Sequence, residues 1–368
     1  MAGCGVGEGV GLARVRGWRG WGAGVGCGGG ALVGPPVACT VMASTLDPAR
    51  RAALVGMQLS TLVADQGVVA VDTPVGLGGG AAVMSADGVA WVLLAEQPER
   101  GLGGALAWAV RREARSVHVL APAGGGVLAR RAVAFSMPIT VAHLAGRSVQ
   151  PAVPEPLIEA SAVPADHRIF IELIEAGGAT PVEEHGVLGG EVAGLEVCRV
   201  IDDPVTGQVR LEVGIGAHDR ETFQLLHGDK PKVEALADVV RTVAAQRRPG
   251  AVPHPLNQLA ASRLLRSTVL DAPSVVGAQR LRIVEPPIAR TNLKDQVPCA
   301  AFDDERGVVV VCTSGVDLDV VPWATDAIAS TGATSCCIVA PARDVIDIQC
   351  RLAALVRAST EFVRLPLQ

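Results

Sequence analysis

Apolar positions along this chain fall into short continuous runs alternating with amphipathic stretches, and the same alternation occurs at both ends. At the front, Thr45-Leu-Asp-Pro48 reads as a helix start, with a capping side chain and a proline in the first turn. That helix is expected to reach about Asp65. Val68–Asp72 and Ala81–Met84 are short strand candidates split by the glycine-rich stretch 76–80. Val89–Ala95 is apolar throughout, as a strand covered on both faces would be. A helix over about Glu99–Glu113, a strand Ser116–Ala121, a helix Gly126–Phe135 and a strand Ile139–Leu144 follow. That is the β-α-β-α-β order of a parallel sheet.

The order returns near the other end as strand Val308–Cys312, helix Pro322–Ser330, strand Ser335–Ala340, helix Val345–Arg357 and strand Glu361–Leu365. Wording recurs with it: Val117-His-Val-Leu-Ala-Pro-Ala123 answers Cys336-Cys-Ile-Val-Ala-Pro-Ala342, and Trp108 and Trp323 both lie in the helix before that strand. Residues 89–144 and 307–365 therefore read as two related units. Between them the prolines of 148–165 mark a linker. Next come a helix Asp166–Ala176, a short strand Pro181–Glu184, a strand Glu191–Ile201, a hairpin loop Asp202–Gly207 and a return strand Gln208–Ile215. Helices over Asp219–His227, Lys232–Gln246 and Pro255–Val269 complete this part, before a strand Arg280–Val284. The expected fold is α/β: two Rossmann-like β-α-β-α-β units (42–147 and 301–368) flanking an α+β middle domain (166–300).

Composition narrows the function classes. The chain has 368 residues, 49% hydrophobic and 19% charged, enough for two or three cored domains and too apolar for wholesale disorder. No apolar run reaches the ~18–20 residues of a membrane span. With 32 Lys+Arg against 37 Asp+Glu, a uniformly basic nucleic-acid coat is excluded. Residues 1–41 hold 14 glycines without a Gly-X-Y period, and are expected either to stay disordered or to precede a true start at Met42. The nine cysteines include no C-x-x-C pair, and Cys198, Cys312, Cys336 and Cys337 sit in apolar runs. Free thiols in a cytoplasmic setting are expected.

Charge is unevenly placed: residues 151–219 carry 13 acidic and 3 basic side chains, and 220–294 carry 12 basic and 6 acidic. Either a basic surface stands beside an acidic hairpin, or the two neutralise one another across the fold. On the acidic side lie Glu172, Glu183, Glu184, His185, Glu191, Glu196, Glu212 and His218. Glu196 should share a strand face with Val192, Cys198 and Val200, where burial would raise its pKa unless a cation is near. Glu196 and Glu212, on adjacent strands, are the expected ligands of Mg²⁺ or Mn²⁺, which would activate water against a phosphodiester. Glu172 or His218 would assist as catalytic groups, and Arg247 and Arg248 would hold the phosphates of a nucleic-acid backbone. Asp317 and Asp319 follow a strand at its carboxyl end, where open α/β sheets place ligands; they would contact a cofactor, through the ribose of a nucleotide or a metal, or else cap the next helix. No G-x-S-x-G or nucleophilic cysteine context occurs. A non-catalytic assembly or regulatory protein, with the α/β units as ligand- or partner-binding modules, is the alternative.

The segment 166–227 resembles the core of the PD-(D/E)XK nucleases in the order helix, strand, acidic strand, acidic return strand, helix. Glu196 or Glu191 stands at that family's first acid, and Leu211-Glu-Val-Gly214 at its E-x-K, with Gly214 where the family has lysine. The resemblance implies a metal-dependent nuclease-like domain, active or inactive. Taken whole, the chain also resembles actinobacterial-type proteins of unassigned function, through Leu195-Glu-Val-Cys-Arg-Val, Leu211-Glu-Val-Gly-Ile-Gly, His254-Pro-Leu-Asn, Asn292-Leu-Lys-Asp and Gly315-Val-Asp-Leu-Asp319.

Overall fold

Helix α1 (Pro48–Asp65) starts where the proline and the aspartate before it require. The Asp47 carboxylate accepts the N–H groups of Ala49 and Arg50, two donors that the first turn leaves open. The structure, a computed structural model, describes residues 47–227, 232–248, 251, 254–288 and 297–366; the glycine-rich stretch 1–41 lies outside the described residues. After α1 come β1 (Val75–Leu77), β2 (Gly80–Met84), β3 (Val89–Leu94), α2 (Leu102–Arg111), β4 (Ser116–Ala121), α3 (Gly125–Ala132), β5 (Ile139–Ala145) and β6 (Ser148–Pro151). These six strands form one sheet in chain order, with β3, β4 and β5 parallel and the remainder antiparallel. The strand expected at Val68–Asp72 is absent, because β1 takes the place beside β2 and Ala70 keeps only a single bridge to Ser85.

A second sheet belongs to the middle of the chain. Short helices α4 (Ala165–Arg168) and α5 (Ile171–Ala176) precede β7 (Thr180–Glu184), β8 (Val187–Val192), β9 (Leu195–Asp202) and β10 (Val209–Val213), an antiparallel meander. Helices α6 (Gly216–His227) and α7 (Lys232–Gln246) follow. One sheet face closes on α5 and α7 around Ile174, Leu188, Cys198, Val200, Leu236 and Val243. Each such apolar side chain contributes about 1.5–3 kcal/mol on burial.

The third sheet repeats the first. Helix α8 (Ala261–Asp271) leads to β11 (Arg282–Val284), β12 (Cys299–Asp303), β13 (Val308–Cys312), α9 (Val320–Thr331), β14 (Ser335–Pro341), α10 (Asp347–Ala353) and β15 (Ser359–Leu365). Its strands also lie in chain order, with β13, β14 and β15 parallel. Strand β12 contains residue 300, so the expected end of the middle domain falls inside a strand of this sheet. The repeat is thus α-β-β-β-α-β-α-β, longer by a helix and a hairpin than the pattern seen in the sequence. Val89 pairs with Ser116 and Val308 with Ser335, so the two units match without insertion across that span. On that register Trp323 stands where the first unit has Gly104, and Trp108 where the second has Ala327.

The two units meet through their helices about an approximate dyad. Phe135, just after α3, bridges to Val356, its counterpart after α10. The Ser136 N–H donates to the Leu355 carbonyl at 2.7 Å, and the Arg357 N–H to the Ala134 carbonyl at 2.8 Å, two bonds that exchange when the units are swapped. Leu102, Leu106 and Leu128 share one core with Val320, Trp323 and Leu352. The result is a helix layer between two sheets. The outer sheet faces are covered by α1, through Leu59, Leu62 and Val63, and by α8, through Leu265 and Val269. Among the described residues neither repeated sheet reverses its strand order, so neither has the switch point at which doubly wound sheets open a ligand crevice. No described helix is long and apolar enough to cross a membrane.

Candidate functional site

The middle sheet turns its acidic face differently from expectation. The stretch Glu191–Ile201 is two strands, β8 and β9, joined by a tight turn at Ala193-Gly194, both residues in the left-handed region. Beyond the turn Gly190 pairs with Cys198 while Glu191 pairs with Glu196, leaving Val197 as the extra residue of a β-bulge. One extra residue exchanges faces. Cys198 therefore packs against α5 near Ile174, while Glu196 lies with Gly189 and Arg199 on the opposite face. The apolar setting expected for Glu196 is not formed.

Glu196 and Glu212 do converge, and what they converge on is an arginine. Arg220, 7% exposed on α6, donates Nη1–H to Glu196 Oε1 at 2.9 Å, and its Nε lies 3.4 Å from Glu212 Oε2. Arg199 adds two bonds to Glu196, at 3.1 and 2.8 Å, and Arg210 holds Glu212 at 2.9 Å. A divalent cation does not fit this donor set: the guanidinium fills the place between the carboxylates. Among the described residues no group of three or more His, Cys, Asp or Glu side chains is arranged to hold a metal ion. Gly214, at the position of the nuclease lysine, has φ +137°, and a Cβ there would lie 2.9 Å from the Arg220 nitrogen. No side chain, and so no lysine, is accommodated.

The neighbouring acids are neutralised as well. Arg263 of α8 bonds to both Glu184 and Glu191, and Arg266 reaches the same pair at 3.0 and 3.1 Å. Burial would raise the pKa of Glu184, yet Arg263 and Arg266 hold it below the ordinary carboxylate value. This square ties the β7–β8 hairpin to α8. Above it lies a cavity of about 180 Å³ lined by Glu184, His185, Glu191, Glu196, Arg199 and Arg263 among others, in which each carboxylate already meets a guanidinium. The acidic and basic halves of the sequence thus neutralise one another across the fold.

The remaining expected residues are dispersed. Glu172, in the first turn of α5, and His218, in the first turn of α6, are exposed. Arg247 is buried and donates to the carbonyls of Ala193, Leu256 and Leu259, which clamps the β8–β9 turn. Arg248 is exposed after the end of α7. Asp317 accepts the Asp319 N–H at 2.9 Å, capping the turn before α9, with its pKa raised by burial. Burial pushes the Cys198 thiol up to about 12, and the six described cysteines are all free.

Asp319 alone among the sequence candidates lines a large concavity. A cleft of about 780 Å³ opens at the carboxyl end of β3, bounded by Leu94, Arg100, Trp108, Arg111 and Asp319. The sister repeat supplies its Leu318-Asp319 wall, which sits so close to α2 that a Cβ on Gly103 would lie 2.2 Å from the Leu318 carbonyl oxygen. Asp319 Oδ1 accepts the Gly103 N–H at 2.8 Å. Burial, with Asp317 beside it, raises the Asp319 pKa to about 7 against the pull of that N–H and of Arg131 and Arg100. Gln97, on the rim, is held at φ +43°, a left-handed conformation that costs roughly 1–2 kcal/mol outside glycine. The sequence pattern did not single out this cleft. Beyond Asp319, its local signal was the stretch Glu96-Gln-Pro-Glu-Arg-Gly-Leu-Gly-Gly104, placed just after an apolar strand. No family model, curated protein or solved structure matches the chain.

Proposed function

We propose that this chain is a non-catalytic binding or regulatory protein, whose paired α/β repeats frame a cleft for a small ligand. The observation that carries this reading is the closure of Glu196 and Glu212 on Arg220. Carboxylates committed to a buried guanidinium neither hold a hard cation nor accept a proton from water, and those are the two tasks a phosphodiesterase would require of them. The 780 Å³ cleft, by contrast, lies within the ~300–1,000 Å³ range of small-molecule sites and combines apolar walls with a few polar groups. A cytoplasmic setting belongs to this reading, because the described cysteines are free thiols.

The test is a cleavage assay with the full chain, labelled duplex DNA, single-stranded DNA and RNA, in Mg²⁺ or Mn²⁺. No cleavage above a metal-free blank is expected from well-folded protein. Metal-dependent cleavage that disappears in Glu212→Gln would overturn the reading.

A further inference from the structure

The cleft beside α2 carries two guanidinium groups on which no ion pair closes among the described residues. Arg100, before α2, and Arg111, at its end, both line the cleft, and neither guanidinium forms a hydrogen bond or an ion pair within 4 Å among the described residues. Elsewhere Arg131, Arg220, Arg263 and Arg266 are all closed on carboxylates. Of the acids near the cleft, Glu96 is taken by Arg51 at 3.3 Å, while Arg100 attracts Asp317 and Asp319 without closing an ion pair on either.

The shape of the cleft is equally specific. Gly104, Trp108 and Arg111 follow one another at helical spacing, so a single stripe of α2 forms its floor. A Cβ on Gly104 would meet nothing within 4 Å, which leaves open space over the helix beside the Trp108 ring. At about 1.5 Å per residue, the ten residues of α2 keep the two guanidinium-bearing ends roughly 15 Å apart. The space between them is walled by Leu94 and Leu318.

From this arrangement, and resting on the binding reading above, we infer that the ligand is an organic anion with a flat apolar body. It lies along α2 over Gly104 and against Trp108, with its anionic groups held by Arg100 and Arg111. The cleft selects such a molecule over inorganic anions, because the guanidinia flank an apolar surface that a bare ion cannot cover. It selects over neutral hydrophobes because the unpaired charges favour an anion.

The experiment is a fluorescence titration of the full chain with 1-anilinonaphthalene-8-sulfonate, alongside the uncharged N-phenyl-1-naphthylamine, with melting temperature recorded for every variant. Saturable binding of the sulfonate is expected, displaced by AMP and not by inorganic phosphate. Gly104→Leu should abolish it while leaving the melting temperature unchanged or higher, since leucine is the better helix former. The double variant Arg100→Ala, Arg111→Ala should weaken the sulfonate at least tenfold and leave the neutral probe unaffected. If Gly104→Leu abolishes binding but the arginine variant does not alter it, the anion assignment fails and the binding reading stands. If Gly104→Leu leaves binding intact, the cleft is not the site and both fail.

Discussion

At the residue scale the molecule is governed by which charges find partners. The carboxylates of the central hairpin were legible in the sequence as a cluster, and so was their adjacency. Their partners were not, because Arg220, Arg263 and Arg266 reach them only through tertiary packing of α6 and α8. The face of Glu196 was also beyond reach: the bulge at Val197 has no glycine or proline of its own to announce it. Asp319 was legible as a residue at the end of a strand, and its titration now follows from its surroundings. Burial lifts its pKa from 3.8 to about 7, so the native state keeps a proton that the unfolded chain has lost. This contribution makes stability fall as pH rises from 3.8 through about 7. Asp319→Asn keeps an oxygen for the Gly103 N–H and removes the ionisation. Urea unfolding should show the variant more stable than the parent at pH 8, by up to about 4 kcal/mol, with little difference at acid pH. A parent whose stability does not change with pH relative to the variant would contradict this assignment.

At the element scale, caps and periodicity were read correctly where their signals were local. Asp47-Pro48 starts α1, and the apolar runs at Val89 and Val308 became central strands. The β8–β9 hairpin escaped because Ala193 occupies a left-handed position that asparagine or glycine usually marks. Tertiary contacts hold it there: the Arg247 guanidinium donates twice to the Ala193 carbonyl, at 3.1 and 2.9 Å. Gly194, at φ +76°, packs against the α8 backbone, with a virtual Cβ only 2.2 Å from the Arg263 oxygen. Gly194→Ala should therefore cost more than the ~1–2 kcal/mol of the backbone strain alone, since α8 must also shift. Ala193→Asn, where asparagine tolerates the conformation, should be neutral or stabilising. Urea midpoints of the two variants check both statements, and a Gly194→Ala protein as stable as the parent would refute the close approach.

Across the whole molecule, the duplication was visible as repeated order and wording, while its dyad was not, since only the folded chain brings Phe135 to Val356. The dyad is broken at a buried ion pair. Arg131, 2% exposed, and Asp326, 1% exposed, form an ion pair at 2.7 Å. Counting from the Phe135–Val356 bridge and from the strand register, their counterparts are Leu352 and Ala107, both buried and apolar. Removing one partner of a buried pair leaves an uncompensated charge, so Asp326→Ala should cost about 3–5 kcal/mol. The double variant Arg131→Leu, Asp326→Ala copies these two positions of the other side and should recover part of that loss, because Arg130, which also bonds Asp326 at 2.9 and 3.2 Å, still loses its carboxylate. Additive losses in a double-mutant cycle would mean that the two sides are not equivalent.

The proposed function places the binding site in the cleft at α2 and not on the acidic hairpin, a claim that hydrogen–deuterium exchange of the full chain tests at both places at once. With 1-anilinonaphthalene-8-sulfonate, slowed exchange is expected in peptides covering residues 94–111 and 318–319, and with Mn²⁺ no change is expected in peptides covering residues 184–220. Protection of 184–220 by Mn²⁺, with none at 94–111 from the anion, would contradict the claim and return the hairpin to the centre of the protein's chemistry.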